Sequence, residues 1–175
     1  PENKLLAITT KITPEKSTFK QALSRLESGA KIQMANPMGD FVLPKDRSLP
    51  LLFVGGGVGC TPFHSIIQHL NQAHEKRDIK FIYSANNLED VAFKDTFESL
   101  RDGFEIALTN PPDNWGGKSG RITAKDILKA SNSGQRRTYI SGPEPMVETL
   151  DKELKDAGVP KHQILGDFFP GYQTI

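Results

Sequence analysis

From residue 51 onward, two kinds of apolar pattern alternate along the chain. Short apolar runs at 51–54, 79–84, 104–109, 137–141 and 162–165 predict five strands. Between them, apolar residues recur every three or four positions, as a helix with one buried face requires. Phe63, Ile66, Ile67, Leu70 and Ala73 form one such series, Phe93, Phe97 and Leu100 a second, and Met146, Leu150 and Leu154 a third. Thr123 is placed to cap a further short helix that runs to Leu128. Pro143 opens the last helix, and Gly158 with Pro160 closes it. Residues 110–120 are rich in Pro, Gly and Asn and predict a loop. Strands and helices in this alternation predict an α/β fold with a five-stranded, parallel, doubly wound sheet.

Residues 1–50 read differently. A β-rich run at 5–12 predicts a strand that ends before Pro14. Ser17 or Thr18 then caps a helix with Phe19, Leu23 and Leu26 on one face, stopped by Gly29. Residues 31–35 alternate polar and apolar as a half-buried strand does, 36–39 predict a turn, and 40–43 another short strand. The polar, proline-punctuated stretch 44–50 marks a domain boundary.

The first chemistry lies between the first α/β strand and its helix, at Gly55-Gly-Gly-Val-Gly-Cys-Thr-Pro62. Gly55, Gly56, Gly57 and Gly59 allow a tight turn and close approach of a bulky ligand. Thr61 is placed as the helix cap, with Pro62 in the first turn. A helix N-terminus presented this way favours an anion, and a dinucleotide pyrophosphate is the commonest one. The Gly-Lys-Ser/Thr ending of a kinase-type phosphate loop is missing. The second chemistry is Ser141-Gly-Pro143, which follows the fourth strand, where ligands of such sheets bind. No Gly-x-Ser-x-Gly surrounds Ser141, which argues against a hydrolase nucleophile.

Composition narrows the partners. A net charge of +1 gives no general reason to expect nucleic acid. No apolar run approaches the roughly 20 residues that span a bilayer. Cys60, the single cysteine, excludes an internal disulfide and suits a reducing, cytoplasmic setting. It reads as a small buried filler rather than a thiol activated by the helix terminus. His64, His69 and His74 fall on different sides of one helix, so no metal site is expected. The start at Pro1 is that of an excised piece, which leaves targeting signals open.

Four motifs together resemble the ferredoxin–NADP reductase-like flavoenzymes: Gly39-Asp-Phe-Val-Leu43, Gly55 to Pro62, Ser141-Gly-Pro-Glu-Pro-Met146 and Asp167-Phe-Phe-Pro-Gly-Tyr172. Trp115-Gly-Gly-Lys-Ser-Gly-Arg-Ile-Thr123 is also similar to a loop of bacterial members. The resemblance covers nearly the whole chain in order. It implies that residues 1–47 are the C-terminal portion of a flavin-binding antiparallel β-barrel, and residues 48–175 the NAD(P)H-binding domain. It implies an enzyme in which hydride passes from a nicotinamide dinucleotide to FAD.

By that resemblance, Gly55 to Pro62 would hold the pyrophosphate, while Gly142, Pro143, Glu144 and Met146 would border the nucleotide. Ser141 would stand beside the nicotinamide, where many relatives carry Cys. Asp167 would lie near the flavin and Phe169 would cover it, with Ser17 or Thr18 touching the flavin pyrophosphate. Ser84 and Asn86 lie where the second strand meets the ribose. No Arg follows them and two acids do, which favours NADH, with NADPH as the alternative.

The family's Arg-x-Tyr-Ser strand does not occur, so the flavin site is expected to be incomplete in this chain. A missing barrel segment or upstream domain is the implied partner. The electron acceptor stays open among iron, haem, a quinone, ferredoxin and oxygen. Two alternatives remain: an excised nucleotide-binding or docking domain without turnover, or the arm of a membrane-embedded, ferric-reductase-like protein, lying on the cytoplasmic side.

Overall fold

A computed structural model describes residues 6–12, 17–36 and 38–169, with Phe169 described in its backbone alone. Its centre is β1 (Leu51–Gly56), every residue of which is buried. Leu51 and Phe53 enter one core cluster, Leu52 and Val54 the other. Successive strand side chains point to opposite faces, so a strand covered on both sides reads as an unbroken apolar run.

On one face lie α2 (Thr61–Gln72) and α3 (Lys94–Glu98), which bury Phe63, Ile67, Leu70 and Phe97 against Phe53, Phe81, Tyr83 and Tyr139. On the other lie α4 (Ala124–Ala130) and α5 (Glu144–Asp156), which bury Ile127, Val147, Leu150 and Leu154. Each fully buried Phe or Leu contributes about 2 kcal/mol of apolar transfer. Capping is explicit at α4: Thr123 Oγ1 accepts from the Asp126 amide, and Asp126 accepts in return from the Thr123 amide at 2.8 Å.

The remaining strands are β2 (Ile79–Ala85), β3 (Phe104–Leu108), β4 (Lys118–Ser119), β5 (Arg137–Pro143) and β6 (Ile164–Phe169). All pairings are parallel, in the order β4-β3-β2-β1-β5-β6. The five expected strands are present, and a sixth joins them at the edge. That extra strand, β4, is two residues long and carries no apolar pattern to announce it.

Upstream, the expectation of three barrel strands is corrected. Among the described residues before 51 there is one helix, α1 (Thr18–Ser24), and no strand. A strand is stabilised only when a neighbour takes its N–H and C=O groups. Here Leu6, Ile8, Ile12, Ile32, Met34 and Val42 stay exposed instead. Ser17, not Thr18, caps α1, its hydroxyl accepting from the Lys20 amide at 3.2 Å. Phe19 remains exposed, Leu26 lies beyond the helix end and is exposed too, and of the expected apolar face Leu23 is half-buried.

Candidate nucleotide site at the sheet crossover

The strand order reverses between β1 and β5: the chain moves outward from β1 through β2, β3 and β4, then returns to pair β5 on the other side. Ligands of doubly wound sheets bind outside the strand C-termini at such a point. The two glycine-bearing segments read from the sequence both emerge there.

The first makes a turn of 3-10 helix at Gly57–Cys60 that runs directly into α2. Thr61 is therefore the first residue of α2 and not its cap. Its amide is already taken by the Val58 carbonyl, which removes the need for a side-chain cap. Pro62 sits in the first turn, as expected. Gly57 has φ near +52°, and a Cβ built on it meets nothing within 4 Å. The other glycines answer to packing. A Cβ on Gly56 would lie 2.5 Å from Met146 Sδ and 3.2 Å from Pro143 Cδ. One on Gly59 would lie 2.3 Å from the Ser141 carbonyl oxygen, and one on Gly142 3.3 Å from the Gly56 backbone. Gly55 lies against the Phe81 ring.

Gly56, Gly59, Ser141, Gly142, Pro143 and Met146, far apart in sequence, are thus brought into one contact set. Glu144, half-buried, opens α5 beside them. Ser141 is fully buried, and its Oγ has no hydrogen-bond partner. In register it stands between Gly55 of β1 and Asp167 of β6. Paired residues of a parallel sheet point the same way, so Asp167, Ser141 and, two positions earlier, Tyr139 share one face.

On that face an open cavity of about 290 Å³ is lined by Met38, Gly39, Phe41, Val42, Pro62 and Asp167. Phe169 ends β6 opposite Pro143, and the tail from Pro170 lies outside the described residues. Ser17 and Thr18 are not among the cavity's lining residues.

Beyond β2, Ser84 is half-buried opposite Gly56, and Asn86 follows it on the surface. Thr109 Oγ1 donates to Asn86 Oδ1 at 3.0 Å, and the Asn110 amide donates to the Asn86 carbonyl. Thr109 and Asn110, at the end of β3, were not singled out by sequence reasoning; the parallel alternation that put Asn86 after β2 puts them beside it. Lys118 Nζ is 2.7 Å from Asp126 Oδ1. Burial alone would raise the Asp126 carboxyl, but hydrogen bonds from Lys118 and Thr123 outweigh it and hold the group below its ordinary range.

Cys60 is buried, and burial pushes its thiol up; the Tyr83 hydroxyl beside it is pushed up as well, also by burial first. That agrees with a filler and not with an activated nucleophile. Burial likewise lowers His64, whose ring stacks 3.9 Å from that of Phe93. Among the described residues no group of three or more His, Cys, Asp or Glu is placed to hold a metal. None of the described helices is long and apolar enough to cross a membrane.

The family description "Oxidoreductase NAD-binding domain" matches residues 53–152. The F component of the Na(+)-translocating NADH-quinone reductase of Neisseria gonorrhoeae is 33% identical over 158 residues, covering 83% of this chain and 39% of that protein. The chain thus spans about two fifths of the length of the curated relatives it matches. Among solved structures, the ferredoxin reductase in carbazole 1,9a-dioxygenase is 27% identical with a TM-score of 0.63, over 77% of this chain and 41% of that one. The flavohemoglobin from Malassezia yamatoensis has the same fold at a TM-score of 0.76 and 23% identity, over 91% of this chain and 42% of that one. With two glycine-bearing loops closed on each other at the crossover of a parallel sheet, and the family pattern laid over both, the chain belongs to the oxidoreductase NAD-binding domain family.

Proposed function

We propose that this chain binds NADH and presents its nicotinamide to a flavin, FAD, held in part by residues outside the α/β sheet. One observation carries this: the contact set of Gly56, Gly59, Ser141 and Gly142 at the crossover, with the buried, unpartnered Ser141 hydroxyl at its floor. A buried hydroxyl without a partner costs free energy, and a ligand amide would relieve it. The residues fit a dinucleotide: open space over Gly57, a helix N-terminus after it, and Met146 and Pro143 packed against Gly56 next to it.

When bound, the nicotinamide would supply a hydride from C4 and the flavin would accept it at N5. The chain's own share is placement and exclusion of water. Gly57 and the amides of the turn that follows would hold the pyrophosphate. Ser141 would orient the nicotinamide, with Glu144 bordering the nucleotide and Asp167 flanking the cavity on the flavin side. Phe169 would cover the flavin until the nicotinamide displaces it, and Ser17 or Thr18 would reach the flavin pyrophosphate. The division at residues 47 and 48 into the end of a flavin barrel and the nucleotide domain is part of the same proposal.

NADH is favoured over NADPH. Asn86 is followed by Glu89 and Asp90 and by no Arg before residue 101, and Lys118 is committed to Asp126. Beyond the flavin, electrons would pass on to iron, haem, a quinone, ferredoxin or oxygen, on the cytoplasmic side.

The test is Gly57→Val followed by calorimetry with NADH. A branched side chain in the space over the turn is expected to weaken binding at least about tenfold, or about 1.4 kcal/mol. Unchanged affinity would remove the pyrophosphate from this loop. A second reading, a docking domain without turnover, is favoured by the absence of any strand among the described residues before 51. NADH-dependent ferricyanide reduction, measured with and without added FAD, separates the two.

A further inference from the structure

Residues 41–46 run as a strap across the α2 face of the sheet, and three hydrogen bonds and two ring contacts pin it there. The Tyr139 hydroxyl donates to the Val42 carbonyl at 2.8 Å. Arg77 donates from one guanidinium nitrogen to the Pro44 carbonyl at 2.9 Å and to the Asp46 carbonyl at 3.2 Å. The Phe41 ring packs edge-on to Tyr139 at 5.2 Å and tilted on Phe63 at 5.6 Å.

Each anchor is itself held. The Arg77 side chain is 5% exposed, and its Nε lies 2.7 Å from Glu75, which Arg47 also reaches at 3.2 Å. Tyr139 is fully buried under the Arg137 guanidinium, which sits 5.9 Å from its ring centre. Burial first, against the nearby Arg137 and Arg77 charges, keeps the phenol protonated and therefore a donor.

The strap matters because its first residues are a wall of the candidate site. Phe41 and Val42, with Met38 and Gly39 before them, face Pro62 of the glycine turn's helix and Asp167 across the cavity. We propose that Tyr139 and Arg77 are positioning residues for the cofactor site: by clasping the strap they set the wall against which nicotinamide and flavin meet. This rests on the function proposed above. Neither residue touches the cavity, so both act through the strap. A wall displaced by about 1 Å is enough to misalign a transfer that depends on orientation.

The test uses Tyr139→Phe, which removes one hydroxyl and keeps the ring, and Arg77→Lys, which keeps the charge and loses the fork. In the chain itself, amide exchange across residues 40–47 is expected to speed up about tenfold in either variant. NADH affinity, measured by calorimetry, is expected to stay within about twofold, since the glycine turn is untouched. In the flavin-loaded protein, the rate constant for flavin reduction by NADH is expected to fall about tenfold or more. Faster exchange with an unchanged reduction rate would overturn the proposal, leaving the clasp merely structural. Unchanged exchange would overturn it too, because the strap would then be held otherwise. A wild-type chain that does not bind NADH at all would instead bring down the functional reading, whatever the exchange shows.

Discussion

Gly59 lies against the main chain of Ser141 so closely that a methyl group in its place would sit 2.3 Å from the Ser141 carbonyl oxygen. The obstacle is backbone, held in the centre of the sheet by β1 and β6, so it cannot step aside. Gly59→Ala therefore has to separate the two loops. The expected cost is about 1–3 kcal/mol in urea denaturation, as for other overpacked cores, together with loss of measurable NADH binding. Gly57→Ala is the control. It meets no atom, and only its φ near +52° is unfavourable, so it should cost about 1 kcal/mol. Equal losses in the two variants would show that the loops do not depend on this contact.

Ser141→Ala should separate stability from binding. The hydroxyl is fully buried and unpartnered, so its removal leaves no group unsatisfied. The ligand-free chain should become more stable, by up to about 1 kcal/mol. NADH affinity should fall about five- to tenfold, the value of one hydrogen bond. A variant that loses stability without losing affinity would mean that Ser141 is structural.

Asp126→Asn bears on both pH and coenzyme choice. In the wild type the folded carboxyl is held below its unfolded value, so the stabilisation is present above about pH 4 and is lost as pH falls through the folded value. The stability gap between wild type and variant should be flat from neutral pH down to about pH 5 and close on further acidification. Its size at neutral pH should be about 1 kcal/mol, from the capping box and the Lys118 pair together. The variant also releases Lys118, so the ratio of NADPH to NADH affinity should rise. A gap that widens in acid, or a coenzyme ratio that does not move, would contradict these assignments.

The α/β half was legible because burial on both faces leaves a plain mark. Leu51-Leu-Phe-Val54 is unbroken because α2 covers one side and α5 the other. The resemblance put both Gly56 and Met146 at the nucleotide, but their contact with each other was not read, since nothing local links positions 90 residues apart. The upstream strands were misread for a physical reason. Alternation at 31–35 says which face would be buried, not whether a neighbouring strand is present to pair. Lys118–Ser119 was missed for the opposite reason: its pairing comes from β3, not from its own residues. Arg77 carried no local signal, since its partners Pro44 and Asp46 lie more than 30 residues away. Tyr139 did carry one. Its spacing of two from Ser141 puts it on the same sheet face.

The clasp also decides where the molecule can be cut. With the carbonyls of Val42, Pro44 and Asp46 all bonded to side chains of the sheet and its turns, a graft joined at residue 48 would take the acceptors away from the Tyr139 hydroxyl and from one guanidinium nitrogen of Arg77. A chimera that transplants this module onto a different flavin domain should carry the native sequence from Met38 onward, and join ahead of it.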